Sequence, residues 1–175
     1  MHKHKSDKYV FFWRSNSPFS NWHASPFRAT IQRNNGLDQF TFNSAEQWMM
    51  YQKAKLFNDV VMAEKILAET DPRKIKALGH DVMGFIQHDW DDNKERLVYQ
   101  GLKLKFQQNK DCMKALMATG DKILVEASPY DSIWGIGLGA EDPRVLDENT
   151  WQGQNLLGKA LTRLRDEFKK HNHNG

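Results

Sequence analysis

Glu46 and Lys53 lie seven residues apart in the stretch Asn43-Ser44-Ala45-Glu46-Gln47-Trp48-Met49-Met50-Tyr51-Gln52-Lys53. A carboxylate can move a proton or stabilise a developing positive charge, and a neutral amine can attack carbon. To serve one pocket the two must share a face. The stretch reads as a helix start: Ser44 is a good N-cap, and Gln47 completes a capping box. Glu46 falls in the first turn, where the positive end of the helix dipole favours a carboxylate. At ~100° per residue Lys53 returns to nearly the same face, about 10 Å along the axis. That is too long for a direct ion pair. Met49 and Met50 fall between the two. An exposed Glu and an exposed Lys on an amphipathic helix would show the same pattern, and the stretch alone leaves both readings open.

Other chemistries find less support. Of seven histidines, His2, His4, His171 and His173 fall in the tails, while His23, His80 and His88 have no ligand spacing with each other or with Cys112. No metal site is expected. Gly135-x-Gly137-x-Gly139 lacks the spacing of a dinucleotide fingerprint, and no nucleophile elbow presents a hydrolytic serine. What remains is carboxylates, one lysine and loop aromatics. Trp90 is expected just before a helix start, and Trp134-Gly135 in an irregular loop. Each tryptophan suits stacking on a flat ring or plugging a core. Glu126 should end a strand, with Asp131 five residues on. Arg14 and Asn21 share a Ser/Asn-rich loop, where an arginine fits a phosphate or is simply solvated.

The elements that must position these residues follow from periodicity and punctuation. Tyr9–Trp13 is a strand signal, Arg14–Trp22 a loop, and Asn34-Asn35-Gly36 a hairpin turn between Phe27–Gln32 and Gln39–Phe42. Helices are expected over Ala45–Phe57 and Val60–Glu69, then from Asp71-Pro72 to Gly79, over Asp91–Gln108 and over Lys110–Thr119. Lys122–Glu126 reads as a strand. The last helix, Gln154–Lys169, carries the core stripe Leu157, Leu161, Leu164 and Phe168. Ala127–Thr150 has no period, yet Tyr130, Ile133, Trp134, Ile136 and Leu138 make it too apolar for disorder. It is expected to be an ordered loop that lines something.

The fold class expected is α+β: a mainly helical single domain with a small antiparallel sheet from the N-terminal strands, to which Lys122–Glu126 can add. The domain should span 9–169, between tails at 1–8 and 170–175. A net charge of +3 over 175 residues is too slight to argue for a nucleic-acid surface. One cysteine, Cys112, permits no internal disulfide and fits a reducing compartment. No apolar run spans a bilayer and no signal-peptide core follows Met1–Lys8, so no membrane partner and a cytoplasmic location are expected.

In order along the chain, several blocks resemble the NADAR, or YbiA-like, N-glycosidase family. They are Ser17-Pro18-Phe19-Ser20-Asn21-Trp22, Ser44–Met50 with Lys53, Asp89-Trp90, Lys105-Phe106 and Leu116–Gly120. Then come Leu124–Ser128, Asp131–Leu138 and Asn155–Leu161. The resemblance covers roughly Tyr9 to Phe168 and implies a YbiA-like fold. It implies hydrolysis, without a cofactor, of the bond between a base-like ring and a phosphorylated ribose. The substrate would be an early riboflavin intermediate or ADP-ribose on guanine, the latter possible in ADP-ribosylated nucleic acid. The family's essential glutamate matches Glu46. Its lysine, proposed to form a Schiff base with ribose, matches Lys53, and its pocket tryptophans match Trp90 and Trp134. Asp131 is added as a catalytic candidate, and Arg14, Asn21, Glu126 and Gly135 as substrate-binding ones. The riboflavin-type pattern Trp-Gly-Asp-Gly stands here as Trp134-Gly135-Ile136-Gly137, which weakens the riboflavin assignment more than the glycosidase one. A non-catalytic ADP-ribose or nucleotide-binding module is the competing class.

Overall fold

The protein is described over residues 7–173 in a computed structural model, with the side chain of His173 excepted. His2, His4 and most of the expected N-terminal tail lie outside the described residues. The chain clusters into two compact units, Asn21–Cys112 and a second built from Met1–Ser20 with Met113–Gly175.

The Asn21–Cys112 unit opens with β2 (Phe27–Arg33) and β3 (Gly36–Phe42), β1 being the earlier strand Tyr9–Phe12 of the other unit. β2 and β3 pair antiparallel with Arg33 opposite Gly36. Asn34 and Asn35 both take left-handed backbone, φ 51° and 65°. That is what a two-residue hairpin turn of matching twist requires. There follow α1 (Ala45–Leu56), α2 (Val60–Ala68), α3 (Pro72–His80), α4 (Gln87–Gln108) and α5 (Lys110–Ala118), within which the unit ends.

Helix α1 is the centre of this unit, burying Trp48, Met49, Met50, Tyr51 and Ala54. The Trp48 ring meets Phe42 edge-on at 5.1 Å, and its Nε1–H donates to the Leu97 carbonyl of α4 at 2.8 Å. Indole position is thus fixed from two sides. The cap of α1 differs from the expected box. Ser44 Oγ does accept the Gln47 N–H, but Gln47 Oε1 takes the Asn43 N–H at 2.8 Å. The other end of that amide donates to the Ile66, Leu67 and Glu69 carbonyls. Gln47 therefore closes the C-terminus of α2 as well as the start of α1.

A methyl group on Gly101 would overlap the Trp48 indole, lying 2.6 Å from Nε1. Gly101→Ala gains up to ~1 kcal/mol in helix propensity. It costs more through overpacking against a ring that cannot retreat. The expected net destabilisation is about 1–3 kcal/mol, measurable as a lower urea midpoint with unchanged slope.

Helix α4 begins at Gln87, four residues before the expected start. Its cap, Ile86, makes no side-chain bond and only accepts the Trp90 N–H with its carbonyl, at 3.1 Å. A helix entered without a capping side chain leaves no mark in sequence, so the acidic run was the first visible signal. Trp90 consequently sits inside the helix rather than ahead of it.

In the other unit, β1 pairs with β4 (Ile123–Glu126) in parallel, from Tyr9↔Ile123 to Phe12↔Glu126. The expectation that the N-terminal strands share one antiparallel sheet is corrected: among the described residues there are two separate pairs. The partners of the parallel pair are separated in sequence by the whole of the first unit. Tyr9, Val125, Ile136, Leu138 and Val145 form the core here. Residues 127–155 are ordered, with short 3₁₀ turns at Pro143–Leu146 and Glu148–Thr150. Asn155 ties this loop to the strand: its Oδ1 accepts the Glu126 N–H and its Nδ2 donates to the Leu124 carbonyl. Helix α6 (Leu156–His173) buries Leu157, Leu161, Leu164 and Phe168, the expected stripe. It continues through His173, past the expected end at Lys169, because no helix breaker intervenes before Gly175. The expected 170–175 tail is therefore helical over its described part. No helix among the described residues is long and apolar enough to cross a membrane.

Candidate active site

The first turn of α1 is where the loop and the helix meet. The Glu46 N–H, one of the orphan donors of a helix start, donates to the Asn21 carbonyl at 2.9 Å. Asn21 and Glu46 are both buried. The Asn21 side chain keeps Oδ1 buried with no hydrogen-bond partner among the described residues. A buried amide oxygen without a donor is costly, and it is a ready acceptor for a ligand hydroxyl.

Seven residues on, Lys53 is half-buried. Its Nζ lies 4.6 Å from the centre of the Phe85 ring and 6.0 Å from that of Trp90. Burial pushes the Lys53 amine below its ordinary pKa, and the Glu46 carboxylate pulls the other way. Burial prevails, so the neutral, nucleophilic form is favoured relative to a free lysine. The helical spacing keeps Glu46 within electrostatic reach of the amine. The alternative of two solvated charges is set aside by geometry: Glu46 is only 4% exposed. Lys55, two residues on, turns to β2 and donates to the Gln32 carbonyl at 3.2 Å.

Trp90 is 7% exposed, so it walls the lysine more than it offers a free stacking face. Phe85 was not singled out from sequence. Its signal is weak, a lone aromatic after Gly84 in the short, largely apolar connection Asp81–Ile86.

A second buried amine competes on pKa alone. Lys105, on α4, is fully buried, and burial brings it down to about 8, with the Cys112 thiol opposing the shift. A nucleophile must also reach its substrate. Lys105 has no exposed surface, whereas Lys53 does, so accessibility favours Lys53.

In the other unit, Glu126, Asp131, Trp134 and Gly135 come together around one loop. Asp131 Oδ1 accepts the N–H groups of Ile133 and Trp134, each at 2.9 Å. This carboxylate therefore holds the turn that presents Trp134, which is half-buried. The Glu126 carbonyl accepts the Ile136 N–H at 3.0 Å. Gly135 is buried, and a Cβ there would lie 2.9 Å from the carbonyl oxygens of both Glu126 and Asp131. Its role in the loop is the absence of a side chain. Arg14 is exposed, its guanidinium 5.6 Å from the Trp13 ring centre. Ile136 is fully buried in the apolar core of this unit, so the position that carries an acid in the riboflavin-type pattern is here a packing position. Among the described residues no group of three or more His, Cys, Asp or Glu side chains could hold a metal ion.

An N-glycosidase of Acanthamoeba polyphaga mimivirus is 44% identical over 169 residues, covering 93% of this chain and 98% of that protein. The protein irg-1 of Caenorhabditis elegans is 39% identical over 168 residues, covering 91% of this chain and 79% of its own. The solution structure of the Escherichia coli protein YbiA superposes with a TM-score of 0.75 at 24% identity, covering 97% of this chain and 89% of that one. It shares the mixed α+β fold. Residues 11–169 match the NADAR domain model, and the chain belongs to that family.

Proposed function

We propose that this chain is an N-glycosidase, a hydrolase that cleaves the bond between a base-like ring and a phosphorylated ribose. The observation that carries the proposal is Lys53, a half-buried amine of lowered pKa with the buried Glu46 carboxylate acting on it. A module that only binds a nucleotide needs stacking surfaces and donors but no such amine. The mimivirus relative, named an N-glycosidase, supports the same class.

In the proposed reaction the neutral Lys53 Nζ attacks the anomeric carbon. The bond to the base breaks, its electron pair leaves with the base, and Glu46 supplies or relays the proton the base takes up. Opening of the ribose ring leaves an imine between sugar and lysine. Water then adds to that carbon, freeing the sugar and restoring the amine. Asn21 Oδ1 accepts a ribose hydroxyl. Trp90 walls the amine; within the other unit Asp131 holds the loop of Glu126, Trp134 and Gly135, which with Arg14 are the further proposed substrate-binding residues. We favour an ADP-ribosylated guanine over a riboflavin intermediate, because Ile136 supplies no acid beside Trp134.

Incubation with ADP-ribosylated guanine-containing oligonucleotide and, separately, with the early riboflavin intermediate tests this. Release of unmodified guanine base sites from the first, with slower or no release from the second, is expected. Tight binding of both without release of either product would make the chain a binding module.

A further inference from the structure

The residue that controls the state of Lys53 is placed by a segment outside α1. Asp81–Ile86 connects α3 to α4 and is pinned at three points. Asp59, the N-cap of α2, accepts the Met62 N–H on Oδ1 and the Met83 N–H on Oδ2, at 3.1 Å and 2.9 Å. Those two bonds hold the Asp59 carboxyl below its usual range. Gly84 then takes φ +76°, a left-handed conformation that side chains resist. Finally the Phe85 ring meets Phe57, the C-cap of α1, edge-on at 5.3 Å. The same ring faces Lys53 Nζ at 4.6 Å, with Trp90 beyond it at 6.0 Å. Phe85 is still 37% exposed while its ring covers the amine. An aromatic ring left this far in water, on a connection fixed this firmly, is unexplained by core packing alone.

We propose that Phe85 is a positioning residue for Lys53, roofing the amine against water and aiming its Nζ. This rests on the assignment of Lys53 as the reacting amine. Two effects of the ring oppose each other. Excluding water favours the neutral amine, while the negative face of the ring favours the charged one. Burial is the leading cause of the lowered pKa at Lys53, and the ring 4.6 Å from Nζ is part of what buries the amine. Among charged groups on the elements packed around α1, Glu64 of α2 pairs with Arg33, and Asp91 of α4 pairs with Lys94. The carboxylate that acts on Lys53 is Glu46, on α1 itself.

The test reads Lys53 without substrate. Reductive methylation with ¹³C-formaldehyde, followed by peptide mapping across a pH series, gives the titration of this one amine. In Phe85→Ala the Lys53 pKa should rise by about one unit, a tenfold loss of neutral amine at a given pH below it. In Phe85→Leu, which keeps the apolar cover but loses the attractive ring face, it should stay at or below the wild-type value. The ascending limb of kcat/KM against pH should move with the titration in both variants. An unchanged or lowered Lys53 pKa in Phe85→Ala overturns the proposal. So does a Phe85→Leu value raised as far as that of Phe85→Ala. A circular dichroism melt confirms that both variants fold. Should Lys53 prove dispensable for turnover, the assignment of the reacting amine fails, yet the titration still decides whether Phe85 controls it.

Discussion

Lys53→Arg should lose turnover by at least ~10³-fold while substrate binding survives, because arginine keeps the charge but cannot form an imine. The half-buried position makes the distinction sharp. A lysine that merely held a phosphate would be replaced by arginine with a measurable fraction of the rate retained. Borohydride added during wild-type turnover should reduce the imine to a stable adduct of sugar mass on the peptide carrying Lys53. Lys55→Ala should leave rate and adduct unchanged, since that side chain is turned to the Gln32 carbonyl. Lys105 provides an internal control: its amine is brought to about 8 but is wholly buried, so no adduct should map there. Full activity in Lys53→Arg, or an adduct on another lysine, would sink the covalent route and leave Glu46 to activate water directly.

Glu46→Gln is the second large effect. The amide preserves shape at a buried position and removes only the charge and the transferable proton. Loss of a positioned acid or base costs ~10²–10⁴-fold in rate. A thermal melt checks that the variant folds. The charge change has a second readout whose sign is fixed. Glu46 raises the pKa of Lys53, so removing it should lower that pKa further. The ascending limb of kcat/KM against pH then moves to lower pH even as its plateau falls. A plateau retained above about a tenth of wild type, with the limb unmoved, would remove Glu46 from both roles.

Much of the local structure was legible because it is written locally. Ser44 caps α1, Asp71-Pro72 opens α3, and Asn34-Asn35 turns the hairpin, each by hydrogen bonds or dihedrals within a few residues. The core stripe of α6 was plain because a helix repeats every 3.6 residues. The start of α4 was not, since Ile86 caps it with backbone alone. Strand pairing differs from the expectation for another reason. An antiparallel hairpin is announced by its turn, whereas the parallel partners Tyr9 and Ile123 have the whole of the other unit between them in sequence.

For the site, sequence by itself determined that a carboxylate and an amine share one helical face at a fixed spacing, and which family's blocks surround them. It could not say whether that face is wet. Burial decides that, and burial is set by segments remote in sequence: the Asn21 loop at the N–H of Glu46, and the Asp59-pinned connection that lays Phe85 over Lys53. Likewise sequence offers Asp131 as a catalytic candidate, and only the fold shows its Oδ1 accepting two backbone N–H groups of its own turn. Residue type and periodicity fix what a side chain can do and which way it leaves its element. Whether it meets water, a ring or another charge depends on contacts that only the tertiary fold brings together, and at Lys53 those contacts lower the pKa.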